Sequence, residues 1–257
     1  MMSNKTYYIH GFTHRGGRPV NEDAFFIYSN TNKIIGCDEN ELRTVVHNPF
    51  FAGIMDGVGG YPNGRETSLF IANDLLNSLS TLDLTASVTS ANQKLCCDPS
   101  HGFSTLMGLH LSEKGIEFIS CGDSRLYAIH DHEITQLTTD DSTANVLMTL
   151  FALSFKEAHE YGYLTECVGK TAEQVFTTHY RPFSLTSPET YVLLTDGAYT
   201  FLEDYWDEIV ASNAPAEYII KLMHEFLASS DSMNHDNLTA IIITPKNPNF
   251  PNNIPES

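Results

Sequence analysis

The chain has 257 residues, 42% of them hydrophobic, enough for one sizeable core, and no apolar run reaches the roughly 18 residues that a membrane-spanning helix needs. Its 32 acidic and 14 basic residues give a formal charge of −18, which repels nucleic-acid phosphates and anionic lipid and disfavours nucleic acid and membrane as partners. The 5 cysteines, odd in number and without a CxxC pair, exclude a disulfide framework or zinc ribbon as the organising principle, and the amino terminus lacks the apolar run of a secretory signal. The expectation is a cytoplasmic, monomeric globular protein.

In chain order, strand-like runs occur at Tyr7–Phe12, Ala24–Tyr28 and Phe50–Met55, many of them bounded by Gly, Asp or Asn. A helix is predicted over Arg65–Leu82, where Leu69, Ala72, Leu76 and Leu79 recur at three- and four-residue spacing. Strands follow at Ser104–Leu111, Ile116–Cys121 and Leu126–Ile129, the last two flanking Gly122-Asp123-Ser124 as a predicted hairpin. Residues 143–180 carry weak helical segments and no clear period. After the strand Tyr191–Thr195 comes a second helix, Pro215–Leu227, with Pro in its first turn and Ile219, Leu222, Met223 and Phe226 along one stripe. Leu238–Thr244 is the last strand. A catalytic domain is expected over 1–244 and a Pro/Asn-rich tail over 245–257. Hairpins interrupted by long helices predict antiparallel sheets with helices packed outside them.

The carboxylates fall at strand ends. The apolar run 50–55 leads into Asp56-Gly57, and Tyr191–Thr195 leads into Asp196-Gly197. Asp236-Asn237 opens the strand from Leu238, and Glu22-Asp23 opens the one from Ala24. Carboxylates gathered by a sheet repel one another unless cations sit between them, and oxygen-only donors favour magnesium or manganese over zinc. A single Asp-Gly is an ordinary turn. Two after apolar strands, with acidic residues opening two others, point to a metal site.

The same residues resemble the 2C-type, metal-dependent protein phosphatases, by motifs that keep the family's order over roughly residues 9–244. Arg18-Pro19-Val20-Asn21-Glu22-Asp23 resembles R-x-x-N-E-D, and Asp56-Gly57-Val58-Gly59-Gly60 resembles the D-G-M-G-G of bacterial members. Ser104-Thr105-Leu106 is similar to the G-T-T strand, and Gly122-Asp123-Ser124-Arg125 is identical to G-D-S-R. Leu137-Thr138-Thr139-Asp140, Leu194-Thr195-Asp196-Gly197 and Asp236-Asn237-Leu238-Thr239 resemble L-T-x-D, S-D-G and D-N-I-T.

The resemblance implies an α+β fold, a four-layer α-β-β-α sandwich of two antiparallel sheets flanked by helices. It implies two Mn2+ or Mg2+ ions and a weaker third. Asp56 would bridge the pair, Asp196 and Asp236 would complete one ion's ligands, and Asp23 would hold its waters. Glu22 and the Gly57 carbonyl would hold the second ion, Asp123 with Asp196 the third, and Arg18 the substrate phosphate. The implied reaction is hydrolysis of phosphoserine or phosphothreonine in a phosphorylated protein, opposing a Ser/Thr kinase, by a metal-bridged water without a covalent intermediate. Val58 stands where eukaryotic members have histidine, and Asp141 where the family commonly has one, so the general acid has no assigned residue. His14 and His235 read as polar supporting residues. By position, residues 143–180 would correspond to the variable flap that contacts substrates, although their sequence resembles the family's poorly. The alternatives are a pseudophosphatase that binds phosphoproteins without turnover, and a metal phosphoesterase acting on phosphotyrosine or small molecules.

Overall fold

The computed structural model describes residues 5–59, 63–81, 83–151, 163–183 and 189–246. Their strands form two six-stranded sheets in which the pairings are antiparallel. The first sheet runs β4 (Asn40–His47), β1 (Thr6–His14), β12 (Leu238–Pro245), β11 (Thr190–Leu194), β8 (Arg125–His130), β9 (Glu133–Gln136). The second runs β10 (His179–Pro182), β7 (Gly115–Cys121), β6 (Leu106–Leu111), β5 (Phe50–Asp56), β2 (Asp23–Ser29), β3 (Lys33–Cys37).

Alternation along the central strands fixes the layers. In β2, Phe25 and Ile27 enter the core between the sheets, while Ala24 and Phe26 face helices α1 (Gly64–Ser78) and α2 (Leu84–Cys97). In β12, Ile241 and Ile243 point inward, and Leu238, Ala240 and Ile242 pack under α4 (Asp196–Leu202) and α6 (Pro215–Leu227). Strands covered on both faces read as continuous apolar runs because every residue meets a core. The architecture is the expected four-layer α-β-β-α sandwich. Two further helices, α3 (Thr143–Phe151) and α5 (Trp206–Ala211), lie outside the sheets' strand order.

Helix α6 has the predicted bounds, with Pro215 in its first turn and Ile219, Ile220, Leu222 and Met223 buried. Helix α1 stops at Ser78, short of the predicted end. Leu79 makes the last helical bond, and the Ser80 and Thr81 hydroxyls donate back to the Asn77 and Ser78 carbonyls at 3.4 and 3.2 Å, which replaces helical partners. Leu82 lies outside the described residues, as do Gly60 and the expected tail from 247. Strand β12 continues through Pro245, and the Lys246 N–H donates to the Thr6 carbonyl at 2.8 Å.

The predicted hairpin at 116–129 does not form. Strand β7 pairs with β6 and β10 in one sheet, and β8 pairs with β11 and β9 in the other. Gly122-Asp123-Ser124 is therefore a crossover between layers. Gly122 takes φ +102°, and a Cβ there would stand 2.8 Å from the Thr105 side chain, so glycine permits both the turn and the contact. Among the described residues, no helix is long and apolar enough to cross a membrane.

Candidate functional site

Strand ends from both sheets meet at one end of the sandwich. In the second sheet, Asp23 at the start of β2 is paired in register with Asp56 at the end of β5. In the first sheet, β11 runs into Asp196 at the start of α4, and Asp236 stands just before its neighbour β12. The crossover from β7 to β8 brings Asp123 to the same end. Glu22, Asp56, Gly57, Asp123, Asp196, Asp236 and Arg18 line a single cavity of about 680 Å3. Asp23 is buried at 1% exposure and does not line it.

The backbone around each carboxylate is tied in place. The Asp56 N–H donates to Thr105 Oγ1 at 3.1 Å, and its carbonyl accepts the Thr105 N–H at 2.8 Å and the Ser104 hydroxyl at 2.9 Å. Thr105 Oγ1 in turn lies 2.7 Å from Ser124 Oγ, which links β5 to the crossover. The Glu22 carbonyl accepts the Gly57 N–H at 3.2 Å and the Ser68 hydroxyl at 2.6 Å. Gly64 at the start of α1 sits so close that a Cβ would meet Glu22 Oε1 at 2.7 Å. Asn237 staples the loop that carries Arg18. Its Nδ2 donates to the Arg15 and Val20 carbonyls at 2.9 and 3.0 Å, and its Oδ1 accepts the Glu22 N–H at 2.8 Å.

The electrostatics are those of crowded carboxylates. Burial pushes the Asp23 carboxyl up to about 7, against hydrogen bonds from Thr239 and Thr195, and Asp196 and Asp236 add to the rise. Burial also lifts Asp56 well above the usual carboxylate range, helped by Asp23, Asp196, Asp123 and Asp236. Asp123 is pushed up to about 8, by burial first and then by Asp196 and Asp140. Glu22 is raised by burial and by Asp236, with Arg18 opposing. Arg18 reaches across the cavity mouth to Asp236 at 2.6 Å.

The residues present fit divalent cations. The donors are oxygens, the like charges are mutually unfavourable, and Asp23 Oδ1 is buried with no hydrogen-bond partner while Oδ2 accepts the Thr195 hydroxyl at 2.9 Å. Among the described residues, no three His, Cys, Asp or Glu side chains are already drawn together as a closed ligand set. What is built is a cavity walled by carboxylates on rigid strand ends.

The fold has counterparts in solved structures. Serine/threonine phosphatase Stp1 from Staphylococcus aureus superposes with a TM-score of 0.75 at 20% identity, covering 95% of this chain and 96% of that one. The chain has the fold of the bacterial 2C-type phosphatases. The catalytic domain of serine/threonine protein phosphatase PstP, solved in complex with two manganese ions, matches with a TM-score of 0.71 at 20% identity, covering 94% of this chain and all of that one (100%). A protein of Mycoplasma pneumoniae described as a "Putative protein phosphatase" is 23% identical, over 81% of this chain and 91% of the relative. No family model matches the chain.

Sequence reasoning missed the support behind this site. Arg125, 4% exposed, binds the Asp140 carboxylate through Nε and Nη2 at 2.8–3.1 Å, reaches Glu203 at 2.5 Å and the Tyr127 hydroxyl at 3.1 Å, and lies 3.7 Å over the Tyr199 ring. The pair locks the crossover beside Asp123 to the segment after β9. Its signal was an arginine directly after Gly-Asp-Ser, on a strand otherwise apolar. His235 donates from Nε2 to the Gly197 carbonyl at 2.7 Å, and His14 Nδ1 accepts the Gly16 N–H at 3.0 Å, both in supporting positions. From the segment expected to be variable, Tyr163, Leu164, Cys167 and Lys170 reach the cavity.

Proposed function

We propose that the chain is a metal-dependent protein phosphatase that hydrolyses phosphoserine and phosphothreonine in phosphorylated proteins. The observation that carries this reading is the convergence of Glu22, Asp56, Asp123, Asp196 and Asp236, from strand ends of both sheets, on one cavity with Arg18 at its mouth.

In this proposal Asp56, Asp196, Asp236, Glu22 and the Gly57 carbonyl would hold two divalent cations, Asp56 being shared between them. Asp23 would support the water around them, and Asp123 with Asp196 would hold a weaker third. Bound there, Mn2+ or Mg2+ would supply Lewis acidity, lowering the pKa of water and neutralising phosphate charge. The chain's own residues do the rest. Thr105, Ser104 and Ser68 fix the carboxylates' backbone, so no reorganisation is needed at the moment of reaction. Arg18 exchanges its Asp236 contact for the phosphate oxygens, where its planar fork donates two hydrogen bonds. Val58, Phe103 and Leu164 add apolar groups to the cavity lining. In this reading the protein works as a monomer in the cytoplasm and opposes a Ser/Thr kinase.

The test is release of phosphate from a phosphothreonine peptide with Mn2+, with chelator, and by Asp56→Asn. Turnover is expected only for the unsubstituted chain with Mn2+. Equal turnover in all three conditions would reject the mechanism, and peptide binding without turnover under every cation would favour a non-catalytic phosphoprotein reader.

A further inference from the structure

The loop that carries Arg18 is seated on the segment that carries Asp236. Gly17 donates its N–H to the His235 carbonyl at 3.0 Å, and Asn237 Nδ2 donates to the Arg15 and Val20 carbonyls at 2.9 and 3.0 Å. Gly16 takes φ +60°, and a Cβ on it would run into the Asp236 carbonyl, as one on Gly17 would into the Met233 carbonyl. Within the loop, the Arg18 N–H donates to the Arg15 carbonyl at 3.1 Å, and the Gly16 N–H donates to His14 Nδ1 at 3.0 Å. Every acceptor in this set but the last is a backbone carbonyl. His14 alone among them takes a proton near neutral pH.

The donor in that bond settles the tautomer. A backbone N–H only donates, so Nδ1 is bare, and the neutral ring carries its proton on Nε2, 3.6 Å from Glu39 Oε1. A second proton, on Nδ1, would set two N–H groups against each other and remove the bond. The ring sits at the end of β1 with its side chain 27% exposed, so solvent protons reach it. Around it stand Glu39 in the turn between β3 and β4, Arg15 in the loop itself, and His224 on α6, whose Nε2 lies 2.8 Å from Glu41 of β4. Arg15 Nε draws on the same Glu39 oxygen at 3.0 Å, so that carboxylate is shared. Burial first, joined by Arg15 and His224, outweighs Glu39 and holds the ring below its ordinary 6.5.

We propose that His14 is a positioning residue for Arg18: through Nδ1 it holds the turn Arg15–Arg18 in the shape that presents the guanidinium to the substrate phosphate, and protonation of its ring releases that turn. The consequence for substrate rests on the phosphatase reading, whereas the bond itself does not. With the ring neutral, the turn is closed and Arg18 stands at the cavity mouth. As pH falls through the His14 pKa, Gly16 loses its acceptor and phosphate binding weakens. The metal carboxylates are anchored by other partners, Thr105, Ser104 and Ser68, so the effect falls on KM rather than kcat.

The test sets the parent beside His14→Asn and His14→Leu. Asparagine Oδ1 takes the place of Nδ1, accepts the N–H two residues on, and does not titrate, whereas leucine accepts nothing. Turnover of a phosphothreonine peptide with saturating Mn2+ is followed from about pH 5 to 7.5, the range in which a histidine of lowered pKa titrates. Each variant is divided by the parent at the same pH, which cancels the titration of the phosphate itself. The KM of His14→Asn is expected to match the parent at neutral pH and to fall roughly three- to tenfold below it in acid, the worth of one hydrogen bond, with kcat within a factor of about two. His14→Leu is expected to show the raised KM at every pH. In the Mg2+-loaded chain, NMR is expected to find the His14 proton on Nε2 at neutral pH. The Gly16 and Arg18 amide resonances should move at the midpoint of the ring's own titration, with no such step in His14→Asn. A proton on Nδ1 at neutral pH, amides that ignore the ring, or a His14→Asn KM that follows the parent's throughout overturns the proposal. Absence of turnover at every pH, in parent and variants alike, counts against the phosphatase reading instead, and the resonances then decide whether His14 holds the turn.

Discussion

Replacing Arg125 by methionine isolates the ion pair that braces the site. The guanidinium meets Asp140 at 2.8–3.1 Å and Glu203 at 2.5 Å, and the Arg125 and Asp140 side chains are only 5% and 8% exposed. Burial opposes the charge on Arg125, but the Asp140 hydrogen bonds outweigh it and lift the pKa further above its ordinary value. Methionine keeps much of the apolar stem and loses the guanidinium with its contacts to Asp140, Glu203, the Tyr127 hydroxyl and the Tyr199 ring, so the loss is chiefly electrostatic. Glu203, 31% exposed on its side chain, can turn to water, whereas Asp140 is left as a buried charge with the neutral Gln136 amide, at 3.1 Å, in place of its counter-charge. Breaking a buried pair in this way costs about 3–5 kcal/mol. Urea unfolding at neutral pH reads the loss directly, as a lower midpoint at unchanged slope. Arg125→Met combined with Asp140→Leu removes the stranded charge and is expected to recover at least ~1 kcal/mol over the single variant. A single variant within about 1 kcal/mol of the parent, or a double variant equal to the sum of the singles, would refute the reasoning.

Three further outcomes follow from the same geometry. Asp123 titrates at about 8 in the folded chain against an ordinary 3.8, so between these values the folded state holds more protons than the unfolded one and its stability falls as pH rises. In chelator, thermal melts from pH 5 to 8 should therefore show the parent losing stability relative to Asp123→Asn, a relative loss that Mn2+ removes; a relative gain would contradict the shift. Thr195→Val removes the hydroxyl that donates to Asp23 Oδ2 at 2.9 Å and accepts the Thr239 N–H at 3.0 Å, a loss of about 1–3 kcal/mol by urea unfolding. Arg18→Ala should raise KM for a phosphothreonine peptide by roughly tenfold or more, the worth of a charged bidentate contact, while Mn2+ affinity measured by calorimetry stays within a factor of about three.

The central strands were legible because they are apolar on both faces, and their ends were legible because acidic residues interrupt that pattern abruptly. Edge strands were not. Asn40–His47, Glu133–Gln136 and His179–Pro182 are mostly polar with exposed positions, and Lys33–Cys37 is a five-residue run exposed only at Lys33, so no alternation marks them. Helix α2 was hidden by its serines and threonines, which are weak helix formers. Burial of Leu84, Val88, Ala91 and Leu95 on one face, with Asp83 capping the Ala86 N–H at 2.8 Å, decides it instead. The hairpin read at 116–129 failed for a related reason. Two apolar strands around a glycine turn look alike in sequence whether they pair or pass between layers, and only the packing of Gly122 against Thr105 separates the two. The carboxylates were found as isolated turn residues, whereas Asn237, Thr195 and the Arg125–Asp140 pair act through contacts more than a dozen residues away in sequence.

Calorimetric titration of Mn2+ into the metal-free chain and into Asp56→Asn addresses the shared carboxylate directly. Two ions are expected to bind the unsubstituted chain, and loss of the single bridging oxygen pair is expected to abolish both tight events at once. An Asp56→Asn chain that still takes up two ions with unchanged affinity would contradict a dinuclear centre built on that residue.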